Sequence, residues 1–114
     1  MPDDVELLRR LYDLFNGRDI ENVLAAMHPD VVWANGMEGG HVHGRDEVRS
    51  YWKRQWAVVN PHVEPIEISP DGKGQVDVTV HQVVHDLEGN LLADKLVNHV
   101  FQIRDGLIQR FDIR

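Results

Sequence analysis

One histidine stands among apolar residues in a stretch with the alternation of a β-strand. If 91–104 is a strand, its side chains alternate between two faces, and His99 shares a face with Val97 and Phe101. Imidazole titrates near neutral pH and can act as a general acid or base. A lone histidine on an apolar face is also often a hydrogen-bonded core residue. Both interpretations are open at this point.

The preceding strand, predicted over 75–87, brings a second polar side chain to the same face. If Gly89-Asn90 is a two-residue hairpin turn, Val80 lies opposite His99 and Gln82 joins the apolar face. A three-residue turn would exchange the inward-facing and outward-facing residues of one strand. Under the two-residue turn, Gln82 and His99 are the polar exceptions on a face that otherwise suits contact with helices.

Three tryptophans and one asparagine form a second group that could contact a ligand. HPDVVWANG (28–36) reads as a short apolar strand that ends on the polar side chain of Asn35. Trp33 precedes Asn35 by two and points the same way, while Trp52 and Trp56 lie four apart on a predicted helix. Together they could line an aromatic cavity for a ring-containing molecule. Plain core packing is the alternative for each indole.

The histidines do not have the spacing of a metal site. The chain has seven histidines and no cysteine, so a metal would need histidine and carboxylate ligands. His81 and His85 share a strand face but are separated by ~13 Å at 3.3 Å per residue, which is too far for one ion. No HExxH pattern, phosphate-binding loop or Rossmann glycine pattern is present. The sequence therefore predicts no metal site and no cofactor.

The order of the predicted elements indicates the fold class. Apolar spacing predicts three helices, and alternation between turn signals then predicts a meander of four antiparallel strands. This order is α+β, with the helices on one face of a curved sheet. The predicted helices cover 5–15, 20–27 and 45–59, and the predicted strands cover 31–33, 62–69, 75–87, 91–104 and 107–113, with a short extra strand among the glycines at 36–44.

Composition narrows the function classes. A chain of 114 residues without linkers is one domain, 1–114, large enough for a core and a modest cavity. The net charge of −7 repels nucleic acid, and no apolar run approaches the ~20 residues of a membrane span. The acidic start, MPDDVELLRR, lacks the pattern of a secretory signal. We therefore expect a cytoplasmic protein without nucleic-acid or membrane partners.

The segment 28–52 resembles the SnoaL-like branch of the nuclear-transport-factor-2-like (NTF2-like) superfamily. HPDVVWANG is followed by a Gly-rich stretch and then by HGRDEVRSYW. The resemblance implies a cone-shaped α+β fold around one pocket. The superfamily includes Δ5-3-ketosteroid isomerase, polyketide cyclases, epoxide hydrolases, dehydratases and proteins without catalysis. Its convex sheet commonly forms a homodimer interface, which we expect here.

The likeness to ketosteroid isomerase runs from DIE (19–21) through HGR (43–45) and continues over most of the chain. The position of the isomerase's aspartate base is Asn35 in this chain. An amide cannot take a proton at neutral pH, so steroid isomerisation by such a base is not expected. The resemblance implies His99 as acid or base and Asn35 as a polariser of a carbonyl or a water. The isomerase's base falls on Asn35, its second acidic residue on or beside His99, its helix-one tyrosine on Leu11 beside Tyr12, and its helix-three tyrosine on Trp52.

These observations predict a cofactor-independent enzyme of isomerase or cyclase type that moves a proton on a hydrophobic carbonyl compound. A non-catalytic ligand-binding protein and a dimerisation module with a filled core are the alternatives. The size of the cavity, and whether His99 and Asn35 both line it, would separate these functions. The residues expected to contact the ligand are Tyr12, Trp33, Trp52, Trp56, Gln82, Phe101 and Phe111.

Overall fold

A computed structural model describes residues 4–36 and 38–114. These residues form three helices and six strands, and the strands belong to one sheet. In chain order the elements are α1 Asp4–Asn16, α2 Ile20–Ala25, β1 Met27–Ala34, β2 His41–His43, α3 Gly44–Trp56, β3 Val59–Pro70, β4 Gln75–Asp86, β5 Leu91–Arg104 and β6 Leu107–Ile113.

The sheet has the order β2-β1-β6-β5-β4-β3 and is mostly antiparallel. Strands β3 to β6 form the predicted meander, while β1 returns to pair with β6 in the parallel direction. Helices α1 and α3 pack against the sheet. The α+β class predicted from the order of elements is therefore confirmed, with helices packed on a curved, mostly antiparallel sheet. None of the helices in the described part of the chain is long and apolar enough to span a membrane.

Two helix ends and two strand starts differ from the prediction. Helix α2 stops at Ala25, and the strand that was predicted over 31–33 already begins at Met27. Helix α3 stops at Trp56, and the strand predicted over 62–69 begins at Val59, so Asn60 and Pro61 belong to β3. Proline is tolerated there because β3 is an edge strand, where one row of backbone N–H groups faces no partner.

The β4–β5 register also differs from the prediction, by two residues. His99 lies opposite Val78, and Val80 lies opposite Val97. A shift of two preserves which side chains share a face, because alternate residues point the same way. Val78, Val80 and His99 are accordingly all buried on the side that meets the helices.

Two features of the hairpin produce this shift. The turn has three residues, 87–89, with Gly89 in the left-handed region at φ 90° and a hydrogen bond of 2.9 Å from Asp86 N to Asn90 O. A bulge between Val84 and His85 then adds one residue to the pairing. The three-residue turn exchanges the inward and outward faces of one strand relative to the prediction, and the bulge exchanges them back. The predicted faces are therefore correct, although the predicted partners are not.

The core lies between the concave face of the sheet and the helices. Its largest fully buried side chains come from both layers, so burial ties the helices to the strands. They are Trp52, Phe101, Leu8, Met27, Ile108, Val23, Val31, Val48, Val76, Val78 and Val80.

Candidate functional site

A cavity of about 110 Å³ lies between α1, α3 and the concave face of the sheet. Its walls are mainly aromatic and aliphatic, and no aspartate or glutamate among the described residues lines it. The interior is therefore neither filled nor large enough for several fused rings. The lining residues are Leu11, Tyr12, Phe15, Trp33, Ala34, Gly36, Tyr51, Trp52, Gln55, Pro61, Val63, Gln82, His99, Phe101, Phe111 and Ile113.

The polar centre of this cavity is a hydrogen bond between α1 and β5. Tyr12 Oη and His99 Nδ1 are 2.8 Å apart, and both side chains are buried. The two rings are nearly parallel, with an interplanar angle of 10°, and Phe111 meets the imidazole edge-on at 4.7 Å between centroids. The imidazole is thus held by one polar partner and by aromatic packing. Its Nε2 makes no hydrogen bond to any of the described residues.

Burial decides the protonation of both partners. It lowers the pKa of His99 to about 4, and it raises the pKa of the Tyr12 hydroxyl. At neutral pH the pair is therefore a neutral imidazole and a neutral phenol. If the phenol O–H donates to Nδ1, the ring proton resides on Nε2, and that nitrogen becomes a hydrogen-bond donor.

An aromatic cluster surrounds the pair. Trp33 stacks on Phe111 with centroids 4.2 Å apart and meets Trp52 edge-on at 5.3 Å. Phe101 contacts both Trp33 and His99 through its ring. These contacts fix the shape of the cavity, because each ring is oriented by at least one other.

The structure brings most of the predicted site residues together but not Asn35. This residue follows β1 in a turn, where its Oδ1 accepts a hydrogen bond from Glu38 N at 2.9 Å. Its backbone N donates to Gly40 O at 2.9 Å, and its backbone O accepts from Gly39 N at 3.0 Å. Asn35 thus shapes the loop and does not line the cavity that His99 lines.

Trp56 also lies outside the cavity lining. It stacks on Trp52 at 5.7 Å, lies 5.4 Å from Phe15 between ring centroids, and carries the Arg18 guanidinium at 5.0 Å from its own ring. Its indole Nε1 is buried without a hydrogen-bond partner among the described residues. Trp56 therefore supports the rings that line the cavity, whereas the other predicted aromatic residues form its wall.

Helix α3 contributes two polar residues that sequence reasoning missed. Tyr51 Oη accepts hydrogen bonds from Gly36 N at 3.0 Å and from Gln55 Nε2 at 3.3 Å. Gln55 Oε1 is buried without a hydrogen-bond partner among the described residues. The signal was present in the sequence, since residues 51 and 55 lie four apart on the helix that carries Trp52.

A second, more polar cavity of about 350 Å³ adjoins the first, and we call it the outer groove. The inner cavity and the outer groove share Ala34, Gly36, Gln82 and Ile113. The remaining groove residues are Asn35, Gly40, His41, Lys95, Val97 and Asp112. Asn35 is thus part of the groove. No group of three or more metal-binding side chains occurs within residues 4–36 and 38–114.

Comparison with known proteins agrees with this architecture. An NTF2-like protein of unknown function from Burkholderia pseudomallei is 28% identical, with a TM-score of 0.88 over 100% of this chain and 91% of that chain. TerC, crystallised with polyporic acid, is 29% identical, with a TM-score of 0.85 over 96% of this chain and 88% of that chain. Rv0760c from Mycobacterium tuberculosis, in complex with estradiol-17β-hemisuccinate, shares the fold at 16% identity, with a TM-score of 0.83 over 96% of this chain and 90% of that chain.

No curated protein sequence matches the chain. The family model of the SnoaL-like domain matches residues 8–111, which include both the helices and the sheet around the cavity. The chain therefore belongs to the SnoaL-like family of the NTF2-like superfamily.

Proposed function

We propose that this protein binds a small, ring-containing hydrophobic molecule and holds a carbonyl or similar acceptor of that molecule on His99 Nε2. The observation that carries the proposal is the buried hydrogen bond between Tyr12 and His99 in the wall of an aromatic cavity. A phenol that donates to Nδ1 fixes the tautomer in which Nε2 is the donor. A ligand acceptor would then satisfy the nitrogen that the described residues leave unbonded.

The walls favour a flat, apolar ligand. Trp33, Trp52, Phe101 and Phe111 offer ring faces and edges, and such surfaces bind aromatic or alicyclic rings well. Fold neighbours give the same class: TerC was crystallised with polyporic acid, and Rv0760c with a steroid ester. Because these ligands belong to the neighbours, they support the ligand class proposed here and not a particular molecule.

The low pKa of His99 favours this role over that of a general acid. A group with a pKa of about 4 holds almost no proton at pH 7, so it has none to give. It is also a weak base, since an efficient base has a pKa near the working pH. The neutral imidazole is instead suited to donate a hydrogen bond from Nε2.

A matched pair of probes tests the proposal. Acetophenone and isopropylbenzene have similar shapes and one ring each, but only the first has a carbonyl. We expect the ketone to bind the wild-type protein about fivefold more tightly, as one neutral hydrogen bond implies. Quenching of tryptophan fluorescence reports binding because Trp33 and Trp52 line the cavity.

The double variant Tyr12→Phe/His99→Leu removes both partners of the buried hydrogen bond, so neither is left unsatisfied. It should bind both probes equally. Asn35→Ala is the control, since Asn35 lies outside the inner cavity, and it should keep the preference for the ketone. A double variant with the full wild-type preference would contradict the proposal, as would a wild-type protein that binds neither probe.

Catalysis on a carbonyl compound, by an isomerase or cyclase type of reaction, is the second candidate function. It is favoured by the position of a neutral imidazole, backed by a tyrosine, in a mainly apolar cavity. Such a donor polarises a carbonyl and makes the adjacent C–H more acidic, so that a solvent water can take the proton. The expected result is faster deuterium exchange at the methyl group of acetophenone in D₂O, followed by NMR. If the wild-type protein exchanges the methyl protons no faster than the double variant does, the protein binds the ketone without catalysis.

We also propose a homodimer that forms through the convex face of the sheet. Leu91 and Leu96 on β5 are 59% and 67% exposed, and they pair with His85 and His81 on the outward face of β4. The variant Leu96→Lys should shift the mass in light scattering from dimer to monomer, while Leu87→Lys, in the β4–β5 turn, should not. A monomeric wild-type protein would contradict the dimer.

A further inference from the structure

A lysine lies on the inward side of β5, between the cavity and the solvent. Lys95 is paired with Gln82 of β4, and Gln82 lines both the inner cavity and the outer groove. Because alternate residues of a strand share a face, Lys95, Val97 and His99 follow one another along the same side of β5. The Lys95 side chain is exposed, and it is the one lysine among the described residues that line the outer groove.

Lys95 forms no ion pair with any of the residues that the structure describes. The one carboxylate among the described groove residues, Asp112, is already engaged. It accepts hydrogen bonds from Arg110 Nε at 2.7 Å and lies 2.8 Å from His41 Nε2. The Arg110 guanidinium lowers the pKa of Asp112, so this carboxylate is ionised and compensated at neutral pH. The ammonium group of Lys95 is therefore available to an anionic group of a ligand.

The volumes require a ligand of ordinary size to reach this lysine. An apolar cavity of ~150 Å³ holds a benzene ring, whereas ligand sites usually measure ~300–1,000 Å³. The inner cavity of about 110 Å³ therefore has room for one ring at most. Any larger ligand must continue past Gln82 into the outer groove of about 350 Å³.

We propose that the outer groove is a subsite for an anionic group, and that Lys95 is the residue that binds it. The inference rests on the proposed function, because the same ligand would place its ring and its acceptor in the inner cavity. His99 and Lys95 are four residues apart on one strand, a Cα separation of ~13 Å at 3.3 Å per residue. The ligand class is therefore a ring-containing organic acid whose acid group lies about one or two ring lengths from the acceptor.

Two fluorescent probes that share one ring body separate the two proposals. N-Phenyl-1-naphthylamine is neutral, and 8-anilino-1-naphthalenesulfonate is the same molecule with a sulfonate. The neutral probe tests whether the inner cavity accepts aromatic rings, and the sulfonate adds the test of Lys95. Affinities are measured by titration of the full chain at low and at high salt.

We expect Lys95→Gln to weaken binding of the sulfonate about fivefold, and Lys95→Glu to weaken it more, with the neutral probe unchanged. High salt should remove most of the difference, as it screens an exposed charge pair. Lys73→Gln is the matched control: Lys73 is an exposed lysine in the turn between β3 and β4, and its substitution should change neither probe.

The outcomes are distinguishable. If the neutral probe binds and Lys95→Gln leaves the ratio of the two affinities unchanged, the anionic subsite is wrong while the proposed function stands. If Lys73→Gln lowers the sulfonate affinity as much as Lys95→Gln does, the effect is general surface charge and the subsite is also wrong. If the neutral probe does not bind the wild-type protein, the proposed function fails and the subsite fails with it.

Discussion

Trp33 of β1 and Phe111 of β6 lie opposite each other where the sheet is parallel, and their rings stack at 4.2 Å between centroids. This contact joins the strand that follows the first two helices to the last strand of the meander. Both side chains are buried, and both line the inner cavity. The same pair therefore holds β1 against β6 and forms part of the wall of the inner cavity.

Truncation of this pair should be costly. We expect Phe111→Ala to lower the free energy of unfolding by about 3–4 kcal/mol, as large-to-small changes of buried aromatic residues do. Denaturant titration measures the change. Phe15→Ala is the comparison, because Phe15 is only partly buried and should cost less. An equal loss for both variants would show that the stacked contact has no special weight.

The hydrogen bond between Tyr12 and His99 should appear as a coupling energy. Tyr12→Phe leaves Nδ1 buried without a partner, and we expect a loss of about 1–2 kcal/mol. His99→Leu should cost a similar amount, and the double variant less than the sum of the two. A double-mutant cycle by denaturant unfolding gives the coupling. Strictly additive losses would contradict the bond.

Stability should fall in acid because of His99. Its pKa drops from 6.5 to about 4 on folding. The unfolded chain thus binds more protons than the folded protein between these values, and stability decreases as the pH falls through this window. The loss due to this residue reaches on the order of 3 kcal/mol near pH 4.

The measurement is the difference in unfolding free energy between the wild-type protein and His99→Gln from pH 7 to pH 4. Contributions that are common to the two proteins cancel in this difference. The wild type should lose more stability than the variant. Parallel pH profiles would mean that the buried imidazole does not titrate as expected.

Two glycines should respond differently to the same substitution. A Cβ at Gly74 would lie 3.0 Å from Ile103 O, and its φ is +96°. We expect Gly74→Ala to destabilise the protein by about 2 kcal/mol, since both the backbone conformation and the backbone contact oppose it.

A Cβ at Gly36 would instead meet the flexible end of Ile113 at 3.3 Å, without an unfavourable φ. Gly36→Ala should therefore cost less than about 1 kcal/mol. Gly36 lies where the inner cavity joins the groove, so the added methyl should weaken probes that span both. Thermal unfolding and probe titration of the two variants check these expectations. A Gly36→Ala protein less stable than Gly74→Ala would contradict them.

Much of the sheet was predictable because alternation is a local property. The strands at 75–87, 91–104 and 107–113 were found almost to the residue, and the inward faces were assigned correctly. The partners across the hairpin were not, because they depend on the turn at 87–89 and on the bulge at His85. The types of the flanking residues do not indicate either feature strongly.

The predicted helices 20–27 and 45–59 end just before His28-Pro29 and Asn60-Pro61, but both prolines lie within strands and the helices end earlier. Proline disfavours a helix without forbidding an extended segment, so the sequence could show where the helix was excluded and not where the strand began.

The candidate site was predictable only in part. His99 stood out because it is polar on an apolar face, and the structure finds it buried in the cavity wall. Its partner is Tyr12 and not Leu11, although both line the cavity. Asn35 was expected across from His99, but the turn to Gly40 uses its side chain and its backbone. Such a choice depends on loop geometry, which residue types alone do not determine.

The edge strand β3 carries prolines at positions 61, 65 and 70, with a bulge between Pro65 and Glu67. None of these prolines offers an amide hydrogen, and the bulge bends the rim, so a foreign strand cannot dock there in continuous register. Edge-to-edge pairing of two copies along β3 into a continuous sheet is thereby disfavoured. A contact on this side of the molecule would depend on side chains rather than on peptide groups.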